Sequence, residues 1–192
     1  MKGRKAMADN LILDTGTGKV HGAKFLASPN HDERPAGVDV DVLVIHAISL
    51  PPDKFEGEFV EAFFTNCLDC SVHPFFREIE ELRVSAHFYI RRNGELIQFV
   101  PTNRRAWHAG DSDFHGRTRV NDFSIGIELE GCDDMPFEDA QYERLVGLTK
   151  TLFEGYSRLN PNQIVGHCDV SPGRKTDPGP CFDWNRYLDA LD

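Results

Sequence analysis

Short apolar runs alternate along the chain with amphipathic, helix-like stretches, and this alternation restricts the fold more than any other feature. Val42–Ile45 in VDVDVLVIH is a continuous apolar run that reads as a buried strand ending at His46. The following LPP turns the chain into a loop. FSIGIELEG reads as a second strand, with Ile125, Ile127 and Leu129 on one face and Gly126, Glu128 and Glu130 on the other. QIVGH reads as a third, ending at His167. HFYIRRNGELIQFV predicts a hairpin, because Asn93-Gly94 is the pair that best tolerates a type I′ turn. A short helix is expected over Phe55–Phe64. The longest helix is expected from Asp139 to Leu159, where Tyr142, Leu145, Val146, Thr149, Leu152, Phe153 and Tyr156 repeat at helical spacing and Pro161 closes the run. Asp183 is placed to cap a last helix carrying Trp184, Tyr187, Leu188 and Leu191. Together these elements predict an α/β fold with a central mixed β-sheet flanked by helices.

With 192 residues the chain fits one domain over 1–192 and can bury a core without disulfides. The first forty residues are rich in Gly, Pro and Asp and are expected mostly to wrap the surface. The net charge of −10 comes without a basic stripe, which argues against nucleic acid. No stretch approaches the ~20 apolar residues that span a bilayer. The start, MKGRKAMADN, is basic but lacks an apolar segment after it and is a poor secretory signal. Five cysteines, an odd number in no dense framework, read as free thiols of a cytoplasmic protein.

Several residues offer chemistry. His46 ends an apolar strand beside a loop, as a metal ligand or as a hydrogen-bonded core histidine. In GHCDVSPGRKTDPGP, His167 follows a strand and Asp177 lies in a Pro- and Gly-rich loop. Two His and one carboxylate, with a fourth position open to water, is a common catalytic zinc set, although these spacings match no short motif. His87 competes as a ligand but reads better as a buried, hydrogen-bonded imidazole. Cys67 and Cys70 form a CxxC near His73 without a second pair to complete a structural zinc site. Glu128 and Glu130 lie on one face of an apolar strand, a costly arrangement unless they are paired, at work, or simply exposed. His108 and His115 sit in loops with no assigned role.

The ordered set VLVIHAISLPP, LRVSAHFYIRRNGELIQFV, RAWHAGDS, NDFSIGIELEG, DAQY and GHCDVSPGRKTDPGP resembles the AmpD family of N-acetyl-anhydromuramyl-L-alanine amidases. That family belongs to a wider zinc amidase group that includes the peptidoglycan-recognition proteins. The resemblance spans roughly residues 42–184. It implies a peptidoglycan-recognition-protein-like zinc amidase fold, with Zn2+ held by His46, His167 and Asp177. It implies Glu128 as the catalytic acid–base group and Lys175 as the stabiliser of the developing oxyanion. Substrate contacts fall on Arg83, Trp107 and Arg119, and neither His87 nor Glu130 falls on a ligand position. The implied reaction is hydrolysis of the bond between (1,6-anhydro) N-acetylmuramic acid and L-alanine of muropeptides, by a cytoplasmic monomer in cell-wall recycling. The alternatives are a non-catalytic muropeptide receptor of the same fold, an amidase acting on intact peptidoglycan, or an unrelated protein with a structural zinc. The family usually carries Asn after the first ligand, where this chain has Ala47, and no cysteines at the Cys67–Cys70 segment.

Overall fold

The computed structural model describes residues 10–192. Its elements, in chain order, are β1 (Ile12–Asp14), β2 (Lys19–His21), β3 (Lys24–Phe25), β4 (His31–Glu33), β5 (Val42–Ile48), α1 (Phe59–Phe64) and α2 (Pro74–Glu78). Then come β6 (Phe88–Ile90), β7 (Leu96–Gln98), β8 (Arg104–Ala106), β9 (Asp113–Phe114), β10 (Arg117–Thr118) and β11 (Ser124–Glu130). The chain ends with α3 (Asp139–Gly155), β12 (Ile164–Gly166), α4 (His167–Val170) and α5 (Trp184–Asp189).

Six strands form the central sheet, in the order β12-β5-β11-β6-β7-β3. The pairs β12/β5, β5/β11, β11/β6 and β7/β3 are parallel and β6/β7 is antiparallel, so the sheet is mixed as expected. Leu43, Ile45, Ile125, Ile127 and Leu129 pack on one side with Tyr142, Leu145, Leu148 and Leu152 of α3 and Tyr187 of α5. Part of the other side is covered by Phe63, Phe64 and Phe76 of α1 and α2, packed with Tyr89, Ile97 and Phe99. All seven residues of β11 are buried. The reading in which Glu128 and Glu130 face solvent is excluded. As expected, Asp183 caps α5, its carboxylate accepting from the Arg186 N–H at 3.0 Å.

Three local expectations are corrected. The hairpin turn is not type I′: Gly94 N–H donates to Arg91 O at 2.8 Å, and Gly94 takes the left-handed conformation at φ 82° while Asn93 does not. This is a turn over Arg91–Gly94 closed by a left-handed glycine, the bulged three-residue form. The long helix stops at Gly155, four residues early. A Cβ on Gly155 would lie 2.4 Å from Leu13 Cδ2, so the β1–β2 ribbon packs hard against this end. Tyr156 then turns extended, and its hydroxyl donates to Thr102 Oγ1 at 2.8 Å. The first helix starts at Phe59, after Gly57 at φ 86° breaks the run.

The N-terminal segment does more than wrap the surface, and residues 1–9 lie outside the described part. β3 forms an edge of the central sheet and β4 pairs with β8. Just beyond β4, the Arg34 guanidinium donates to the carbonyls of Thr102, Asn121, Asp122 and Ser124 at 2.8–3.1 Å. Burial lowers its pKa to about 10, which leaves it charged at neutral pH. Arg34→Met should lower stability by about 3 kcal/mol, because several part-buried carbonyls lose a charged donor at once. Urea unfolding midpoints measure this, and a loss below ~1 kcal/mol would mean that water replaces the guanidinium.

Candidate active site

β5 delivers His46 from the centre of the sheet, and β12 stops one residue short of His167, which opens α4. The Gly166 N–H donates to Asp169 Oδ2 at 2.7 Å, an N-terminal cap that starts the helical turn directly after the strand. Asp177 comes ten residues later, and its loop is tied back by Cys168 N–H donating to Asp177 O at 3.0 Å. His46 Nδ1 lies 3.0 Å from His167 Nδ1, and Asp177 Oδ2 lies 3.2 Å and 3.1 Å from the two nitrogens. His167 Nε2 is spoken for, donating to Ala109 O at 3.1 Å. Burial lowers the His46 pKa to about 4, outweighing the hydrogen bond to Asp177 that raises it. Burial would raise the Asp177 carboxyl, but hydrogen bonds to His167 and His46 outweigh it and hold that carboxyl well below the usual range.

These three atoms fit a small divalent cation. Ligand bonds of 2.0–2.1 Å in tetrahedral geometry place ligand atoms about 3.3 Å apart, close to the 3.0–3.2 Å observed here. Among the described residues this is the one group of three or more His, Cys, Asp or Glu side chains arranged to hold a metal.

The parallel register sets Glu128 of β11 directly opposite His46. Its Oε2 is buried without a hydrogen-bond partner. Burial, then the charge of Asp177, pushes its pKa well above the usual carboxylate value, while the Lys175 charge draws it down. Glu130, two residues on, has other company: it accepts from the Arg92 N–H at 2.9 Å and lies 3.9 Å from the Arg91 guanidinium, which also pairs with Glu61. One face of β11 thus carries an acid without a partner and an acid locked in an ion network.

A cleft of about 640 Å³ opens over this group. Glu128, His167, Lys175 and Asp177 line it, together with Trp107 and apolar side chains such as Phe75 and Leu82. Ala47 is also in the wall. Arg83 and Arg119 are not among the lining residues. Arg83 folds back to donate to the carbonyls of Glu80 and Leu82 at 2.8 and 3.0 Å and borders a smaller neighbouring cavity. Arg119, 67% exposed, pairs with Asp122 at 2.9 Å. The guanidinium in the cleft wall is Arg174, whose Nη2 donates to Ala109 O, Asp111 O and Ser171 Oγ.

The sequence model of the family described as N-acetylmuramoyl-L-alanine amidase matches residues 36–180, three-quarters of the chain. The chain belongs to the N-acetylmuramoyl-L-alanine amidase family. It is 51% identical to the 1,6-anhydro-N-acetylmuramyl-L-alanine amidase AmpD of Haemophilus influenzae, over 94% of this chain and 98% of that protein. A crystal structure of AmpD superposes with a TM-score of 0.91 at 48% identity, covering 94% of this chain and 99% of the other. The amidase AmiD of Escherichia coli, solved with anhydro-N-acetylmuramic acid-L-Ala-D-γ-Glu-L-Lys, gives a TM-score of 0.58 at 28% identity over 94% of this chain and 65% of the other.

In the amidase the remaining histidine and cysteine candidates take structural places. His87 is buried: the Gly126 N–H donates to its Nδ1 at 3.1 Å, and its Nε2 donates to Arg104 O at 3.0 Å. His73 caps α2, its Nδ1 accepting from the Phe75 N–H at 3.2 Å. Cys67 and Cys70 point to main-chain carbonyls, and all five cysteines are free thiols. Sequence reading missed His108, whose Nδ1 lies 3.0 Å from His46 Nε2, and Arg174 in the cleft wall. A signal for His108 was present: a glycine inside a fully buried strand, Gly126, marks close approach by another group.

Proposed function

We propose that the amidase is zinc-dependent and cleaves the amide between (1,6-anhydro) N-acetylmuramic acid and L-alanine of muropeptides, within one domain and in cytoplasmic cell-wall recycling. The observation that carries this reading is the convergence of two buried imidazole nitrogens and a carboxylate beside an unpartnered glutamate in the wall of a cleft. The anhydro sugar follows from the name of the 51%-identical relative and from the ligand solved with AmiD. Five free thiols suit a reducing compartment. Among the described residues no helix is long and apolar enough to cross a membrane.

His46, His167 and Asp177 would hold Zn2+ through Nδ1, Nδ1 and Oδ2. When bound, the ion supplies Lewis acidity and lowers the pKa of water toward ~7. Glu128 Oε2, free of other hydrogen bonds, takes a proton from the attacking water. As the C–N bond breaks, Glu128 returns that proton to the L-alanine amine, so the carboxyl ends as it began. Its burial favours the protonated form that it holds between the two transfers. The Lys175 ammonium, at the cleft wall, meets the negative charge that develops on the lactyl carbonyl oxygen. Trp107 presents a flat apolar face to the sugar or the peptide stem. Incubating metal-replete and metal-stripped protein with anhydro-muropeptide, with mass spectrometry of the products, tests the reading. Free peptide and anhydro sugar should form only with metal, and a purely binding protein yields neither.

Arg83 and Arg119 complete the proposal as contacts for the peptide carboxylates. Both must leave their present partners to reach a substrate, which exposed guanidinium side chains do at small cost. Arg83→Ala and Arg119→Ala should each lower kcat/KM by more than ~10-fold, the scale of one lost charged hydrogen bond. The loss should shrink on a substrate without the peptide carboxylates. Equal losses on both substrates, or none, would remove these arginines from the recognition scheme and leave Arg174 as the cleft's guanidinium.

A further inference from the structure

A neutral imidazole that offers its Nδ1 lone pair to a cation carries its proton on Nε2. His46 is 1% exposed, so that outer N–H needs an acceptor inside the protein. The atom facing it is His108 Nδ1, at 3.0 Å. If His108 Nδ1 accepts, the His108 proton sits on Nε2, and that nitrogen lies 3.1 Å from Ser124 Oγ. The three groups then form one directed chain, His46 to His108 to Ser124, in which each proton has a single place.

The seat for His108 is built from several directions. Its ring lies on β11 over Gly126, where a Cβ would come within 2.5 Å of the imidazole, so no side chain fits beneath it. Its backbone N–H and that of Ala109 both donate to Asn121 Oδ1, at 3.2 and 2.8 Å. Ser124 is anchored in turn, its carbonyl accepting from Arg34 at 2.8 Å. The rings of His46 and His108 meet edge to face, with centroids 5.0 Å apart and planes at 88°. Residue 109 supplies the matching acceptor for the other imidazole, its carbonyl taking the His167 Nε2–H. Consecutive residues thus hold the outer nitrogens of both histidines, one through a side chain and one through the main chain.

We propose that His108 is a positioning residue for the metal centre, accepting the outer N–H of His46 and so setting the tautomer and ring orientation in which His46 binds zinc. This rests on the zinc reading above. Outer hydrogen-bond partners of this kind are worth roughly 10–100-fold in metal affinity. Zinc dissociation constants, measured by competition with a chromophoric chelator on purified full-length protein, test it. His108→Phe fills the seat without an acceptor and should weaken zinc binding by ~10-fold or more. His108→Asn, whose Oδ1 can stand where Nδ1 stood, should stay within about threefold of the parent protein, well below that range. Ser124→Ala, a change small enough to spare the fold if the Phe variant does not refold, should weaken binding by about threefold or more through the loosened His108. Parent-like affinity in His108→Phe or Ser124→Ala, or equal losses in the Phe and Asn variants, overturns the role of His108. His46→Ala in the same titration separates the two readings: if the parent protein takes up no zinc, or His46→Ala takes it up unchanged, the zinc reading itself falls and this proposal with it.

Discussion

Alanine at His46, His167 or Asp177 is expected to strip zinc from the amidase and abolish muropeptide hydrolysis. Each substitution leaves two protein ligands where catalytic zinc sites use three. The loss of affinity should therefore exceed the ~10–100-fold that removing an outer hydrogen-bond partner costs. The geometry adds a second penalty in Asp177→Ala. Without the carboxylate, the two imidazole nitrogens that face each other at 3.0 Å have no anionic partner left in the buried site. Metal-to-protein ratios after dialysis, read by elemental analysis, and product formation on the same samples measure both effects. His87→Ala is the control. It breaks hydrogen bonds to the Gly126 N–H and Arg104 O and should cost stability while zinc stays bound. Stoichiometric zinc in Asp177→Ala together with loss of zinc in His87→Ala would mean that the ligand set is wrong.

Glu128→Gln should reduce turnover by at least ~100-fold while fold and zinc content persist, the scale of a missing general base. The same substitution should stabilise the metal-free protein at neutral pH. Burial and the charge of Asp177 raise the Glu128 pKa in the folded state above its value of about 4.3 in the unfolded chain. The folded protein therefore binds the extra proton more readily than the unfolded one, and stability falls as pH rises from the unfolded pKa through the folded one. Glutamine carries no such charge and escapes the loss. The Tm of metal-free Glu128→Gln should exceed that of the parent at pH 7, and the two should converge below about pH 4. Glu130→Gln should behave in the opposite way, keeping turnover and losing stability, because Glu130 is held by the Arg92 N–H and faces Arg91. Normal turnover in Glu128→Gln would move the base elsewhere, and a lower Tm at pH 7 would mean that the carboxylate has a partner in solution.

The sequence by itself determined the elements whose cause is local. The apolar run at Val42–Ile45 and the alternating run at Ile125–Leu129 became the two longest strands of the sheet, and Asp183 capped the last helix. Burial follows a side chain's position in its own strand or helix, and periodicity states that position directly. The ordered motifs singled out His46, His167 and Asp177, and the fold brings these three side chains together. Tertiary structure alone decided how the remaining parts meet. Strand order places β11 between β5 and β6, and the parallel register sets Glu128 across from His46. No local pattern encodes that pairing, because the partners lie about eighty residues apart. The same holds for His108 over Gly126, for Leu13 against Gly155 and for Arg34 among four carbonyls. It holds also for the arginines, where Arg174 lines the cleft while Arg83 and Arg119 hold other partners. A surface guanidinium takes its direction from whichever carbonyl or carboxylate the folded chain brings near, and that neighbour exists only after the sheet has assembled.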